Sequence, residues 1–143
     1  MATACYSFPM RVLAVDFGEK RIGLATSDAS GRLATPRRTL ERRDDEAAAR
    51  TIAAFCREEE VERVVFGIPR SPEGAESPFA SRVRSFARKV AARTGLPVDF
   101  HEETLTSVEA VRRLPRRSSR ALVDREAAAV LLEDFLKHRG VSS

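Results

Sequence analysis

Arg11-Val12-Leu13-Ala14-Val15-Asp16-Phe17-Gly18-Glu19-Lys20-Arg21-Ile22-Gly23-Leu24-Ala25-Thr26-Ser27 decides how this chain is read. Arg11 to Asp16 is a short apolar run dense in β-formers, and Gly18 punctuates it. After the polar Glu19 and Lys20, Arg21 to Ser27 reads as a second strand, so the stretch is a hairpin. Its anomaly is Asp16. A carboxylate ending an apolar strand is costly to desolvate unless something compensates it, and a divalent cation is one such compensation. Gly18 allows a tight turn and the close backbone approach of a ligand. The plainer alternative has Asp16 accepting only backbone amides in that turn.

Working outward, Gly31 turns the chain again and Arg32 to Leu40 reads as a third, more exposed strand, with Pro36 marking an edge or an irregularity. The period then changes. Asp44 or Asp45 caps a helix whose Ala48, Ile52 and Phe55 share a face. Val61 to Gly67 is a fourth strand, followed by a loop rich in Pro, Gly and Ser. Ser77 and Pro78 then open a helix with Phe79, Val83, Phe86 and Val90 at helical spacing. Gly95 and Pro97 end it, and Leu96 to His101 is a fifth strand. Thr106 with Glu109 forms a capping box for a short helix through Leu114. A basic linker leads to a last helix from about Val123 to Lys137. The order β-β-β-α-β-α-β-α-α predicts an α/β fold, a mixed five-stranded sheet with helices on both faces. Residues 1–10 read as a flexible tail and 11–139 as a single domain.

Composition sets the outer limits. The chain has 143 residues, 43% hydrophobic and 32% charged, with a formal net charge of +4. That is a globular composition with a mild basic balance, compatible with a nucleic-acid partner. Cys5 and Cys56 make no metal or redox spacing and read as free thiols in a reducing compartment. No secretory pattern and no apolar run of membrane-spanning length is visible, so the expected location is cytoplasmic, with no membrane partner.

Two further sets of carboxylates accompany Asp16. Glu102 and Glu103 close the fifth strand, where open α/β sheets deliver binding groups. Alternation sends them to opposite faces, so one of the pair is expected in a site. Asp124 opens the last helix, where its ordinary role is an N-cap and its alternative role is a third metal ligand. A two-metal phosphodiesterase holds its ions through such carboxylates, and hard Mg²⁺ (or Mn²⁺) asks for few protein oxygens. No His/Cys spacing for zinc competes. His101 and His138 stand far apart, and His138 in a last helical turn suits the helix dipole.

These residues lie in four segments that together resemble the YqgF/RuvX family, the Holliday-junction-resolvase-like pre-16S rRNA nucleases. Val15 to Ala25 resembles the family's D-x-G-x-K-R-I-G hairpin. Gly67-Ile68-Pro69 followed by Glu73-Gly74 resembles its G-L-P…D-G loop. Glu102 to Ser107 with Glu109-Ala110 resembles D-E-R-L-[ST]-[ST]-x-E-A. Val123-Asp124, Ala127-Ala128 and Leu131-Leu132-Glu133 resemble V-D-x-x-A-A-x-x-I-L-E. The likeness spans about Arg11 to Leu136. Thr104, Leu122 and Arg70-Ser71-Pro72 depart from the family's usual Arg, Lys and Leu-Asn. The resemblance implies an RNase H-like fold, a hydrolase acting on ester bonds, and an acidic triad of Asp16, Glu103 and Asp124 holding metal, with Glu102 as an assistant.

Lys20 and Arg21 follow the Asp16 turn, and Arg112, Arg113, Arg116, Arg117, Arg120 and Arg125 cluster before and into the last helix. Lys20, Arg21, Arg113, Arg116, Arg117 and Arg120 are the candidates for gripping a phosphate backbone. A solvated charge run is the ordinary alternative. With no Trp and one Tyr, base stacking is not evident, and backbone and shape recognition is expected. The resemblance implies a partner that is RNA, as pre-16S rRNA, or branched DNA, and a monomer or homodimer. A junction resolvase would need a symmetric dimer. An actin-like nucleotide-binding hairpin is disfavoured because one short domain supplies no second lobe. A non-catalytic binding module is disfavoured because it gains nothing from carboxylates beside phosphate.

Overall fold

Alternating apolar residues in the opening hairpin give the sheet two buried faces, and the rest of the chain supplies a layer for each. The computed structural model describes residues 10–69, 76–103, 106–115 and 119–141, and of Glu103 it describes the backbone. The strands are β1 (Val12–Phe17), β2 (Arg21–Ser27), β3 (Ala34–Glu41), β4 (Arg63–Pro69) and β5 (Val98–Glu103). The helices are α1 (Asp45–Glu58), α2 (Pro78–Thr94), α3 (Thr106–Arg113) and α4 (Arg120–Val141). The sheet runs β3-β2-β1-β4-β5. The first three strands are antiparallel neighbours, while β1, β4 and β5 are parallel, as the element order predicts. Pro36 accounts for itself twice: β3 is an edge strand, and its register with β2 shifts between Leu24 and Ala25, opposite that proline.

One face packs Leu13, Val15, Phe17, Val64 and Phe66 against Ile52 and Phe55 of α1 and Val83, Phe86 and Val90 of α2. The other packs Val12, Ala14, Ala25 and Val65 against Ala128, Leu131, Leu132 and Phe135 of α4. The odd and even residues of β1 therefore part cleanly, and Asp16 has the parity of Val12 and Ala14, the α4 face. Met10, read from sequence as the end of a tail, is buried in this second layer, while residues 1–9 lie outside the described residues. Ser27 finishes the start of β1, its Oγ accepting from Val12 N and donating to Met10 O. Among the described residues no helix is long and apolar enough to cross a membrane.

Candidate functional site

The β1–β2 hairpin closes by a hydrogen bond from Gly18 N to Arg21 O at 2.9 Å. A Cβ on Gly18 would lie 2.6 Å from that oxygen, so the glycine serves the turn itself rather than a ligand. Arg42, just after β3, clamps the turn. Its Nη1 donates to Glu19 O at 2.9 Å, its Nε pairs with Asp45 at 2.9 Å, and its guanidinium lies 4.3 Å from the Phe17 ring centroid. Both ends of β1 are thereby fixed, and Asp16 is held half-buried at the carboxyl end of the strand.

Asp16 is in register with Gly23 of β2, so the two positions point to the same face. A Cβ on Gly23 would come within 2.0 Å of the Asp124 carbonyl oxygen, which means that the α4 backbone lies directly on this glycine. The missing side chain lets the Asp124 backbone rest on the strand position next to Asp16. Asp124 is not the N-cap expected from sequence. The helix starts one turn earlier, at Arg120, and Ser119 caps it, accepting from Leu122 N at its Oγ and from Val123 N at its carbonyl. Freed from capping, the Asp124 carboxylate accepts from Arg21 Nε through Oδ2 at 2.5 Å, with both side chains about three-quarters buried. Thr39 on β3 anchors the same end of α4, donating from Oγ1 to Ala121 O at 2.5 Å.

Register also separates the two glutamates. In β5, Phe100 and Glu102 pair with Phe66 and Ile68, the parity of the α1/α2 face, whereas His101 and Glu103 pair with Gly67 and Pro69. His101 contacts Asp134 and Phe135 of α4, so position 103 shares the face of Asp16, and Glu102 has the opposite parity. Extending the β1–β4 register by one residue sets Asp16 level with Gly67. Position 103 then lies two strands across and two residues further on, roughly 12 Å away between Cα atoms.

The basic candidates divide. Lys20 is exposed at the hairpin tip and Arg120 is exposed at the start of α4. Arg21 is engaged with Asp124. Arg113, a candidate for gripping a phosphate, is bound to Glu133 and Glu126 of α4, and those carboxylates raise its pKa further, holding it charged. Arg116 and Arg117 lie outside the described residues, as do Thr104 and the Glu73-Gly74 loop.

Two features escaped sequence reasoning. The Arg21–Asp124 pair spans 103 residues and has no local signal. His101 and His138, dismissed as distant, have ring centroids 5.4 Å apart, with Asp134 between them. The i, i+4 spacing of Asp134 and His138 on one helix was the available clue.

A family model described as "RuvX: Holliday junction resolvase" matches residues 10–138. A relative from Anaeromyxobacter sp. (strain K), named "Putative pre-16S rRNA nuclease", is 42% identical over 135 residues, covering 91% of this chain and 98% of the relative. A relative of the same name from Moorella thermoacetica is 39% identical over 136 residues, covering 92% and 97%. Among solved structures, Thermus thermophilus RuvC in complex with a Holliday junction substrate superposes with a TM-score of 0.61 at 14% identity, covering 94% of this chain and 98% of that one. Fowlpox virus resolvase in complex with Holliday junction DNA gives 0.57 at 14% identity, covering 91% and 99%. These likenesses show the fold, which is RNase H-like as expected.

Proposed function

The chain belongs to the RuvX family, and from that premise we propose that it is a metal-dependent endonuclease that hydrolyses phosphodiester bonds at the 5′ end of pre-16S rRNA in the cytoplasm. The observation that carries this reading is the seating of Asp124 on Gly23, the register partner of Asp16. That contact supports a shared site, because the Asp124 backbone rests on the strand position next to Asp16, at the carboxyl edge of the parallel strands and on the face that position 103 also has by register. Asp16, Glu103 and Asp124 are the proposed metal ligands and catalytic residues.

The donor set fits Mg²⁺ or Mn²⁺. It consists of carboxylate oxygens alone, and Asp16 is only half-buried, so an ion there keeps part of its water shell. Arg21 engages Oδ2 of Asp124 and leaves Oδ1 for a cation. The bound metal would supply an activated water and stabilisation of the leaving oxygen. Arg21 orients Asp124 and keeps a positive charge beside the carboxylates, where a substrate phosphate must approach. Lys20 and Arg120, both exposed, flank this edge and extend the contact along the backbone, with Arg116 and Arg117 as further proposed contacts. Arg113 would have to exchange its carboxylate partners Glu126 and Glu133 for phosphate to join this set.

The family description itself favours a second reading, resolution of a four-way DNA junction, for which a symmetric dimer would be needed. One experiment separates the two. The purified chain and an Asp16→Asn variant are incubated with a pre-16S 5′-leader RNA and a four-way DNA junction, each with Mg²⁺, Mn²⁺ or EDTA, while light scattering gives the oligomeric state. Cleavage of the leader RNA that requires metal and vanishes in the variant is expected. Junction cleavage by a dimer would transfer the reading to DNA. Salt-dependent binding with no cleavage of either substrate would overturn the nuclease, and strong thermal stabilisation by ATP alone would revive the nucleotide-binding hairpin.

A further inference from the structure

His101, Asp134 and His138 form a cluster outside the carboxylate site. One potential ligand atom from each lies within 4.8 Å of the others. His101 Nε2 is 2.5 Å from Asp134 Oδ2, and its ring is held edge-on by Phe135 with centroids 5.9 Å apart. Its side chain is 18% exposed, so the imidazole is seated between β5 and α4 rather than waving in solvent. Asp134 and His138 stand one turn apart on α4, a spacing that aims two ligands from the same helix face. His138 Nδ1 lies 2.8 Å from the Asp134 carbonyl oxygen, to which it can only donate. A backbone contact of this kind orients metal-ligating histidines, and it holds the ring with Nδ1 3.6 Å from Asp134 Oδ1.

We propose that His101, Asp134 and His138 form a second cation site, selective for a borderline transition ion such as Zn²⁺, distinct from the carboxylate site. Two imidazoles and one carboxylate form the donor set of a three-ligand zinc site with an open fourth position, and hard Mg²⁺ disfavours it. The ten residues from Asp124 to Asp134 separate the sites by about 15 Å along the helix. His101 Nε2 and Asp134 Oδ2 hydrogen-bond directly, and a bound ion would replace the proton they share. An ion there ties β5 to the distal half of α4, two residues before the position that carries Glu103.

The test uses the untagged full chain, stripped with EDTA and kept in millimolar Mg²⁺ so that the carboxylate site is filled. Co²⁺ is titrated as a spectroscopic stand-in for Zn²⁺, against wild type, His138→Gln and Asp16→Asn. His138 is two-thirds exposed, so its variant keeps the fold, which circular dichroism checks. One equivalent of Co²⁺ with a low-coordinate visible spectrum is expected in wild type and in Asp16→Asn. His138→Gln should weaken it at least ~10-fold. A Zn²⁺ concentration ~100-fold above the wild-type Kd should raise the wild-type Tm by roughly 5–10 °C. No Co²⁺ spectrum in wild type, undiminished binding in His138→Gln, or loss of binding in Asp16→Asn would each overturn the proposal.

Discussion

Gly23→Ala is the substitution that most directly tests how the site is assembled. The added Cβ would sit 2.0 Å from Asp124 O, 2.5 Å from Asp124 C and 3.1 Å from Arg125 N. All three are backbone atoms, so no side chain can rotate away. The closest contact must open to at least 3.0 Å, which moves this end of α4 outward by about 1 Å. Overpacking of this kind destabilises by roughly 1–3 kcal/mol. For a chain of this size that is roughly 3–10 °C in Tm. The effect on cleavage should be larger, because an ångström of misplacement at a catalytic group reduces rate by about 10²-fold. Gly95→Ala supplies the control. Gly95 caps α2 with φ of 70° and nothing within 4 Å of a Cβ, so alanine there is strained by about 1–2 kcal/mol but leaves α4 where it is. Urea melts should therefore rank the two variants close together, while single-turnover cleavage in Mg²⁺, well below either Tm, should separate them sharply. If Gly23→Ala cleaves within roughly threefold of Gly95→Ala, the seating of Asp124 against Asp16 does not govern catalysis.

Arg21→Gln should cost roughly 1–3 kcal/mol, since it leaves the three-quarters-buried Asp124 carboxylate without its charged partner, and should raise the Mg²⁺ midpoint for cleavage by ~10-fold or more. A melt that falls while the Mg²⁺ midpoint stays fixed would make the pair merely structural. The Asp28 carboxyl is lowered to about 2, first by the Ser30 hydroxyl and then by the Leu33 and Arg32 amides. Its folded pKa lies below the ordinary 3.8, so its contribution is present above that value and is lost as pH falls toward 2. Carboxyl NMR should find a midpoint near 2 that rises in Ser30→Ala, and an ordinary midpoint in wild type refutes the bonding. Burial pushes the Cys56 thiol up to about 11, so iodoacetamide at mildly alkaline pH should label Cys56 only after denaturation. Peptide-resolved labelling of Cys56 in the native protein would contradict its place in the core.

Element order was legible because period and punctuation are local. The Asp16 hairpin, the Ser77-Pro78 helix start and the Gly95 stop each carry their own signal within a few residues. The local pattern around Asp124 offered a cap as its ordinary role, but Ser119, hidden in a basic linker, offers a capping oxygen as well, and sequence gives no rule for choosing between them. Arg113 read as a phosphate contact because a charge run looks solvated until its partner is known. Glu133 lies 20 residues away and reaches it only through the packing of α3 on α4.

The glutamate pair marks the boundary between local and global information most clearly. Alternation alone establishes that Glu102 and Glu103 part, but which one shares the face of Asp16 depends on the β4–β5 register. A slip of one residue there would bring position 102 to the α4 face, and it would also turn His101 away from Asp134 and Phe135. The histidine cluster and the carboxylate site therefore depend on a single register. Detecting His101 and His138 on one Co²⁺ ion would be independent support for Glu103, rather than Glu102, as the companion of Asp16 and Asp124.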